Sequence, residues 1–513
     1  MRFQPASILL LPLALATPIN PSSSDQDVQL APLAENGEHI DDAYIVVFKK
    51  GLDATQIALH LSGVERDHGA DPLYSFSSDG EVETGGIKHV YQPPTSDNGY
   101  YGYAGKFSAN TLNTIRSSPE VAYVERDQIM RTQDIPQGVD DWFGSSSAED
   151  SYPGEELASE SISTEKGAPW GLARISHRKE LKLSTFTEYH YDSHGGDGVT
   201  AYVIDTGINI DHVEFEGRAK WGKTIPKNDV DKDGNGHGTH CAGTVGSRKY
   251  GVAKNAKLVA VKVLGSNGSG SMSDVVAGVL WAAEAAAAEA DAAAKELKAT
   301  GKTKYKGSVA NMSLGGGKAK SLDDAVNAAV DAGLHFAVAA GNDNKDACNY
   351  SPAAAEKAVT VGASTLGDER AYFSNHGKCV DIFAPGLNIF STWIGGNQTT
   401  NTISGTSMAS PHICGLLAYL VSIHGTETFN LYDTSASATG VYAKAYSLLP
   451  KLAQAVLPTP EFEIEVAPVP SKDKLTPAKL KKALIGLASA GRLTDLPTGS
   501  PNLLAYNNAT THK

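Results

Sequence analysis

From Pro169 onward the chain alternates short apolar runs with stretches of helical character, and this constrains the fold more than any other feature. The runs are 200–204, 258–263, 309–314, 335–339 and 358–361. Strands separated by helices build an α/β fold around a largely parallel sheet, because a parallel connection needs a crossover. Residues 275–298, almost all Ala, Glu, Leu and Lys, predict a long surface helix.

The chain has 513 residues, too many for one ordinary core. Residues 41–131 read as a small α+β unit. Strands are expected at 42–48 and 101–107, a helix at 51–61, a Ser108-capped helix through Ile115, and a closing strand at 121–124. Residues 132–165 form an acidic linker holding nine Asp or Glu and no Lys or Arg, the composition of a disordered, cleavable segment. A processed form is expected to begin between Ala158 and Gly167, with the second unit running over 166–513. Within it 456–475 reads as a loop or C-terminal processing region and 479–490 as a last helix.

The N-terminus reads as a secretory signal over 1–16. Arg2 leads, 8–16 is apolar, and Ala14-Leu15-Ala16 supplies the small-residue cleavage pattern. Residues 17–40 follow as a leader linker. No later stretch is expected to span a membrane. A net charge of −14 argues against a nucleic-acid partner, which calls for a basic surface.

Three motifs carry chemistry. Ala201-Tyr202-Val203-Ile204-Asp205-Thr206-Gly207 is a buried strand ending in an acid, and the carboxyl ends of parallel strands are where such sheets place their sites. Gly236-His237-Gly238-Thr239-His240-Cys241 sets a histidine at a helix start, and Gly405-Thr406-Ser407-Met408-Ala409 sets a serine at another. Each alone is ordinary, since strand-end acids and pre-helix serines are commonly caps. In the order Asp…His…Ser they supply a nucleophile, a base and an acid that holds the base in one tautomer. Asn342, after Ala339-Ala340-Gly341, could donate to a developing oxyanion beside the Ser407 backbone N–H.

These motifs resemble the three signatures of the subtilisin superfamily, and 235–263 resembles its proteinase K branch almost continuously. Ser313-Leu314-Gly315-Gly316-Gly317 and Asn502-Leu503-Leu504-Ala505-Tyr506 extend the likeness, and Pro169-Trp170-Gly171-Leu172-Ala173-Arg174-Ile175-Ser176 resembles the mature start of fungal vacuolar cerevisin-type proteases. The resemblance implies a three-layer sandwich with a central, mostly parallel sheet, preceded by an α+β inhibitory propeptide. It implies a broadly specific serine endopeptidase made as a preproenzyme. Ser407 is then the nucleophile, His237 the base, Asp205 its orienter and Asn342 the oxyanion donor. Gly268-Ser269-Gly270 and Ser313-Leu314-Gly315 become the edges that take substrate as an added strand. Implied partners are protein and peptide substrates and the chain's own propeptide, on a monomer. The vacuole is the favoured destination, the cell exterior the other, and allergens recur among such enzymes. No catalytic cofactor is implied. A structural calcium is, with Asp381 as a ligand beside main-chain carbonyls near Ala355 and Lys357.

Four cysteines allow three pairings. Cys348 and Cys379, in loop-like sequence, are the better pair, and Cys241 and Cys414 read as buried thiols. Of five sequons, Asn349, Asn397 and Asn508 are expected acceptors, while Asn311 lies in an apolar strand and Asn267 borders the substrate edge. Asp229-Val230-Asp231-Lys232-Asp233-Gly234 imitates a calcium loop but has His240 where a glutamate is needed. His237 and His240 lack the intervening glutamate of a zinc protease.

Overall fold

The computed structural model describes residues 30–34, 37–71, 85–92, 99–135, 156–157, 162–426, 428–431 and 475–510. The expected signal segment, most of the acidic linker and nearly all of 456–475 lie outside the described residues.

In the N-terminal unit, the strand His39–Phe48 pairs antiparallel with Gly102–Lys106 and with Val121–Thr132. The helices Ala54–Gly69 and Ala109–Ser117 cover one face of this sheet. Asp53 and Gln56 form a reciprocal capping box on the first helix. Ser108 caps the second as expected, accepting from Thr111 N–H at 3.2 Å. The closing strand, expected over four residues, runs for twelve, Val121–Thr132. Its extra length carries it out of this unit.

The C-terminal unit is built on nine strands. Their order is Ala219–Thr224, Lys257–Lys262, Val199–Asp205, Gly307–Met312, His335–Ala339, Val359–Ser364, Ile382–Pro385, Leu503–Leu504 and Ser489–Ala490. All neighbours are parallel except the last pair. Val199–Asp205 is buried at every position because both faces are covered. Ala201 and Val203 pack against the helices His237–Gly246 and Thr406–Ile423; Tyr202 and Ile204 face Met272–Thr300 and Lys320–Asp331. Three layers result.

The helix 272–300 is not wholly the surface helix expected from its composition. Met272, Val275, Val276 and Val279 are fully buried, and only its C-terminal half is exposed. Thr406–Ile423 is long and apolar enough to cross a membrane by composition, yet every residue of it is buried in the protein core.

After Val199–Asp205 the chain first adds strands on one side of it, then returns with Gly307–Met312 on the other. Strand order therefore reverses beside Asp205, where an open α/β sheet leaves a crevice.

Candidate active site

Asp205 ends its strand at that crevice. His237, the first residue of its helix, stands with Nδ1 at 2.7 Å from Asp205 Oδ1, and both side chains are wholly buried. The carboxylate can only accept, so Nδ1 carries the proton and Nε2 is left basic. Burial alone would lower the imidazole pKa; the Asp205 charge outweighs it and raises the value well above the ordinary one. Gly238 allows this closeness, since a Cβ there would meet the Gly207 carbonyl at 2.2 Å.

Asp233, which the sequence offers only as part of a false calcium loop, organises this corner. Its buried carboxylate accepts from Asn235 N–H, Gly236 N–H, Thr239 N–H and the hydroxyls of Thr206 and Thr239. It thereby ties the residue after Asp205 to the start of the His237 helix.

Ser407 is the second residue of its helix. Its hydroxyl donates to the Ser313 carbonyl at 2.9 Å, while His237 Nε2 has no hydrogen-bond partner among the described residues. Hydrogen bonds between a nucleophile and its base often form only with substrate in place.

Asn342 is set by Thr406, whose N–H and hydroxyl both donate to Asn342 Oδ1, at 2.9 and 3.0 Å. The amide nitrogen is then aimed at the cleft, where it donates to the Gln133 carbonyl oxygen at 2.6 Å. Ser407 N–H donates to the same oxygen at 3.3 Å. A Cβ on Gly405 would sit 2.3 Å from that oxygen, so only glycine leaves room for it.

Gln133 arrives at these donors because Val121–Thr132 inserts between the two predicted edges. Ser269, Gly270 and Ser271 pair antiparallel with Arg131, Met130 and Ile129; Leu314 and Gly315 pair with Thr132 and Arg131. Thr132 N–H donates to the Gly268 carbonyl and Gln133 N–H to that of Ser313. The chain continues past the donors, with Ile135 N–H on the Ser404 carbonyl. Gly268, Ser269, Gly270, Ser313, Leu314 and Gly315 thus flank this inserted segment of the chain.

The same strand grips the second unit away from the cleft. Glu125 accepts from Lys320 and Ser321 N–H, both at 2.8 Å, on a helix whose own N-cap, Ala319, makes no side-chain bond. Asp127 accepts from Ser273 N–H at 3.0 Å at the start of 272–300. Carboxylates at helix N-termini satisfy orphan donors and favour the dipole. Neither contact was read from the sequence, which shows an acid in a strand but not the helix it meets.

Cys348 and Cys379 form a disulfide; Cys241 and Cys414 are free and buried. Cys241 Sγ lies 4.0 Å from His237 Nδ1. His240, one of the discarded zinc candidates, bonds to the Ile389 carbonyl, and burial holds its pKa at about 3. Asn349 and Asn397 are exposed. The Asn508 side-chain nitrogen donates to the Thr428 carbonyl at 2.7 Å.

The expected calcium ligand is also corrected. The Lys481 ammonium lies 2.9 Å from Asp381 Oδ2 and donates to the carbonyls of Glu356 and Ala358 at 2.9 and 2.6 Å. One carboxylate and two carbonyls already neutralise a fixed cation, so these residues do not fit a calcium ion.

An α/β sandwich with this acid, imidazole and hydroxyl at its crevice, and an oxyanion cradle beside them, is the architecture of subtilisin-type serine proteases. Residues 196–456 match the subtilase family and residues 43–133 the peptidase inhibitor I9 family. The chain belongs to the subtilase family: it is a subtilisin-like serine protease carrying its inhibitory propeptide domain.

Among curated proteins it is 51% identical to the subtilisin-like serine protease Pen c 2 of Penicillium citrinum, over 98% of this chain and 95% of that one. It is 49% identical to alkaline protease 2 of Aspergillus fumigatus, over 98% and 88%. Among solved structures, a cold adapted subtilisin-like serine proteinase matches with TM-score 0.50 and 39% identity, covering 67% of this chain and 99% of that one.

Proposed function

We propose that the enzyme is a broadly acting endopeptidase whose first substrate is its own Gln133–Asp134 bond. Ser407 Oγ attacks the Gln133 carbonyl carbon while His237 Nε2 takes the hydroxyl proton. The oxyanion is held by Ser407 N–H and Asn342 Nδ2, and Asp205 supports the imidazolium. His237 then gives the proton to the Asp134 nitrogen as the C–N bond breaks, and water hydrolyses the Gln133 ester. The observation that carries this reading is the Gln133 oxygen, 2.6 Å from Asn342 Nδ2 and 3.3 Å from Ser407 N. The inhibitor-family match ends at the same residue.

Breadth follows from main-chain recognition. The two edges pair with backbone groups of whatever extended segment lies between them. The cleaved propeptide keeps its strand pairing and its Glu125 and Asp127 contacts, so it remains an inhibitor until it is degraded. The expected start at 158–167 is a second, later trimming. Entry into the secretory pathway is supported by the N-terminal signal pattern and the disulfide. The vacuole rests on the cerevisin resemblance alone.

The test is N-terminal sequencing of the first processed form, with Asp134 expected. Ser407→Ala should leave the chain uncut and abolish casein hydrolysis. Asn342→Ala should lower kcat by roughly 10²–10³ with little change in KM, the cost of losing the side-chain oxyanion donor in subtilisin. Casein hydrolysis retained by Ser407→Ala would sink the assignment.

A further inference from the structure

Behind the first helix of the protease unit, His177, Glu188 and His190 each offer one ligand atom, and these atoms all lie within 4.8 Å of one another. No part of the peptidase mechanism uses them. We propose that they form a transition-metal site, with zinc the best-suited ion, that braces the N-terminal segment of the protease unit.

The placement follows from local structure. Glu188 and His190 are two apart on the strand Glu188–Asp192 and share one side of its pleat. Tyr189 between them points into the core, fully buried. His177 follows the helix Trp170–Ile175 and presents its ring 5.1 Å from that of His190. All three side chains are half-buried, which leaves a coordination position open to water.

The surroundings orient these ligands as metal sites do. His177 Nδ1 lies 2.8 Å from the Ala173 carbonyl oxygen, so that nitrogen carries the proton and Nε2 keeps its lone pair. Thr164 Oγ1 lies 2.8 Å from His190 Nδ1 and holds the ring in place. The His190 backbone is pinned on both sides, its N–H to Ser176 Oγ at 3.2 Å and its carbonyl to Asn507 Nδ2 at 2.7 Å.

Two imidazoles and one carboxylate suit zinc, with water as a fourth ligand, and do not suit calcium, which takes oxygen ligands. The strand Ile162–Lys166 pairs with Glu188–Asp192, setting Thr164 opposite His190 and Lys166 opposite Glu188. An ion here ties that strand pair to the turn after the first helix. Binding to the folded chain alone raises its stability.

The experiment uses the full chain bearing Ser407→Ala, stripped with chelator and titrated with Zn²⁺ and with Co²⁺ as a visible-absorption probe. One equivalent should bind, and Tm should rise by about 2–4 °C near a hundredfold excess over Kd. Affinity should fall at least about tenfold in Glu188→Gln and about a hundredfold in His177→Gln or His190→Gln, with calcium giving no change at this site. If a histidine variant fails to fold, Glu188→Gln carries the comparison alone. Absence of saturable binding below millimolar metal would overturn the proposal. So would unchanged affinity in Glu188→Gln or the double histidine variant, since the ion would then lie elsewhere, including at Asp205, His237 and Cys241.

Discussion

Pro411 stands four residues after Ser407 in the same helix and has no N–H to give to the Ser407 carbonyl. That oxygen instead accepts from Ser313 Oγ at 2.8 Å and from Cys241 Sγ at 3.5 Å. Ser313 in turn supplies the carbonyl that receives the Ser407 hydroxyl. A helix defect at the nucleophile is thus repaired by Ser313, the residue between the strands Gly307–Met312 and Leu314–Gly317.

Ser313→Ala should therefore cost about 1–3 kcal/mol, the penalty for a buried acceptor left with only a weak thiol donor. Thermal unfolding of the Ser407→Ala chain, with and without the change, measures it. A Tm difference below one degree would mean that the carbonyl finds another partner.

Glu125→Ala removes the carboxylate from a helix start that has no side-chain cap of its own. The loss should be about 0.5–2 kcal/mol of affinity between propeptide and protease, a factor of roughly 2–30. The lag before purified zymogen gains activity should shorten accordingly, and an unchanged lag would show that other contacts set the release.

Burial keeps three histidines neutral in the fold, His240 with a pKa of about 3 and His335 and His412 at about 4, against an ordinary 6.5. Between these values the unfolded chain binds more protons than the folded one, so stability rises with pH there and falls on acidification below 6.5. Each group contributes up to about 1.4 kcal/mol per pH unit. Urea unfolding of the Ser407→Ala chain at pH 7 and pH 4.5 should show the drop, and His335→Gln should flatten it.

Lys481 fills the place where the family resemblance suggested calcium. Lys481→Met should leave Asp381 and the two carbonyls uncompensated and lower Tm. Millimolar calcium should restore more of the loss in this variant than it adds to the parent. Equal calcium responses in both would mean that the ammonium is not the resident cation.

The proposed trio of Asp205, His237 and Ser407 was legible because each member lies in a short motif whose small and apolar neighbours announce a strand end or a helix start. The core strands were legible too, since continuous burial leaves apolar runs. Asp233 was visible only as a misleading acid, and Glu125 and Asp127 only as charges in a strand that seemed to stop at Val124.

The order of residues is enough to reveal the chemistry available: an acid, a base and a nucleophile in a telling order, on an alternating α/β chain behind a separable unit. Tertiary structure alone decided what those groups touch. Gln133 meets Asn342 across 209 positions of chain, Glu125 caps a helix 195 residues away, and Lys481 reaches Ala358 from 123 residues on. Local propensity acts over a few residues, whereas a hydrogen bond between distant segments exists only once the packed core has brought them together.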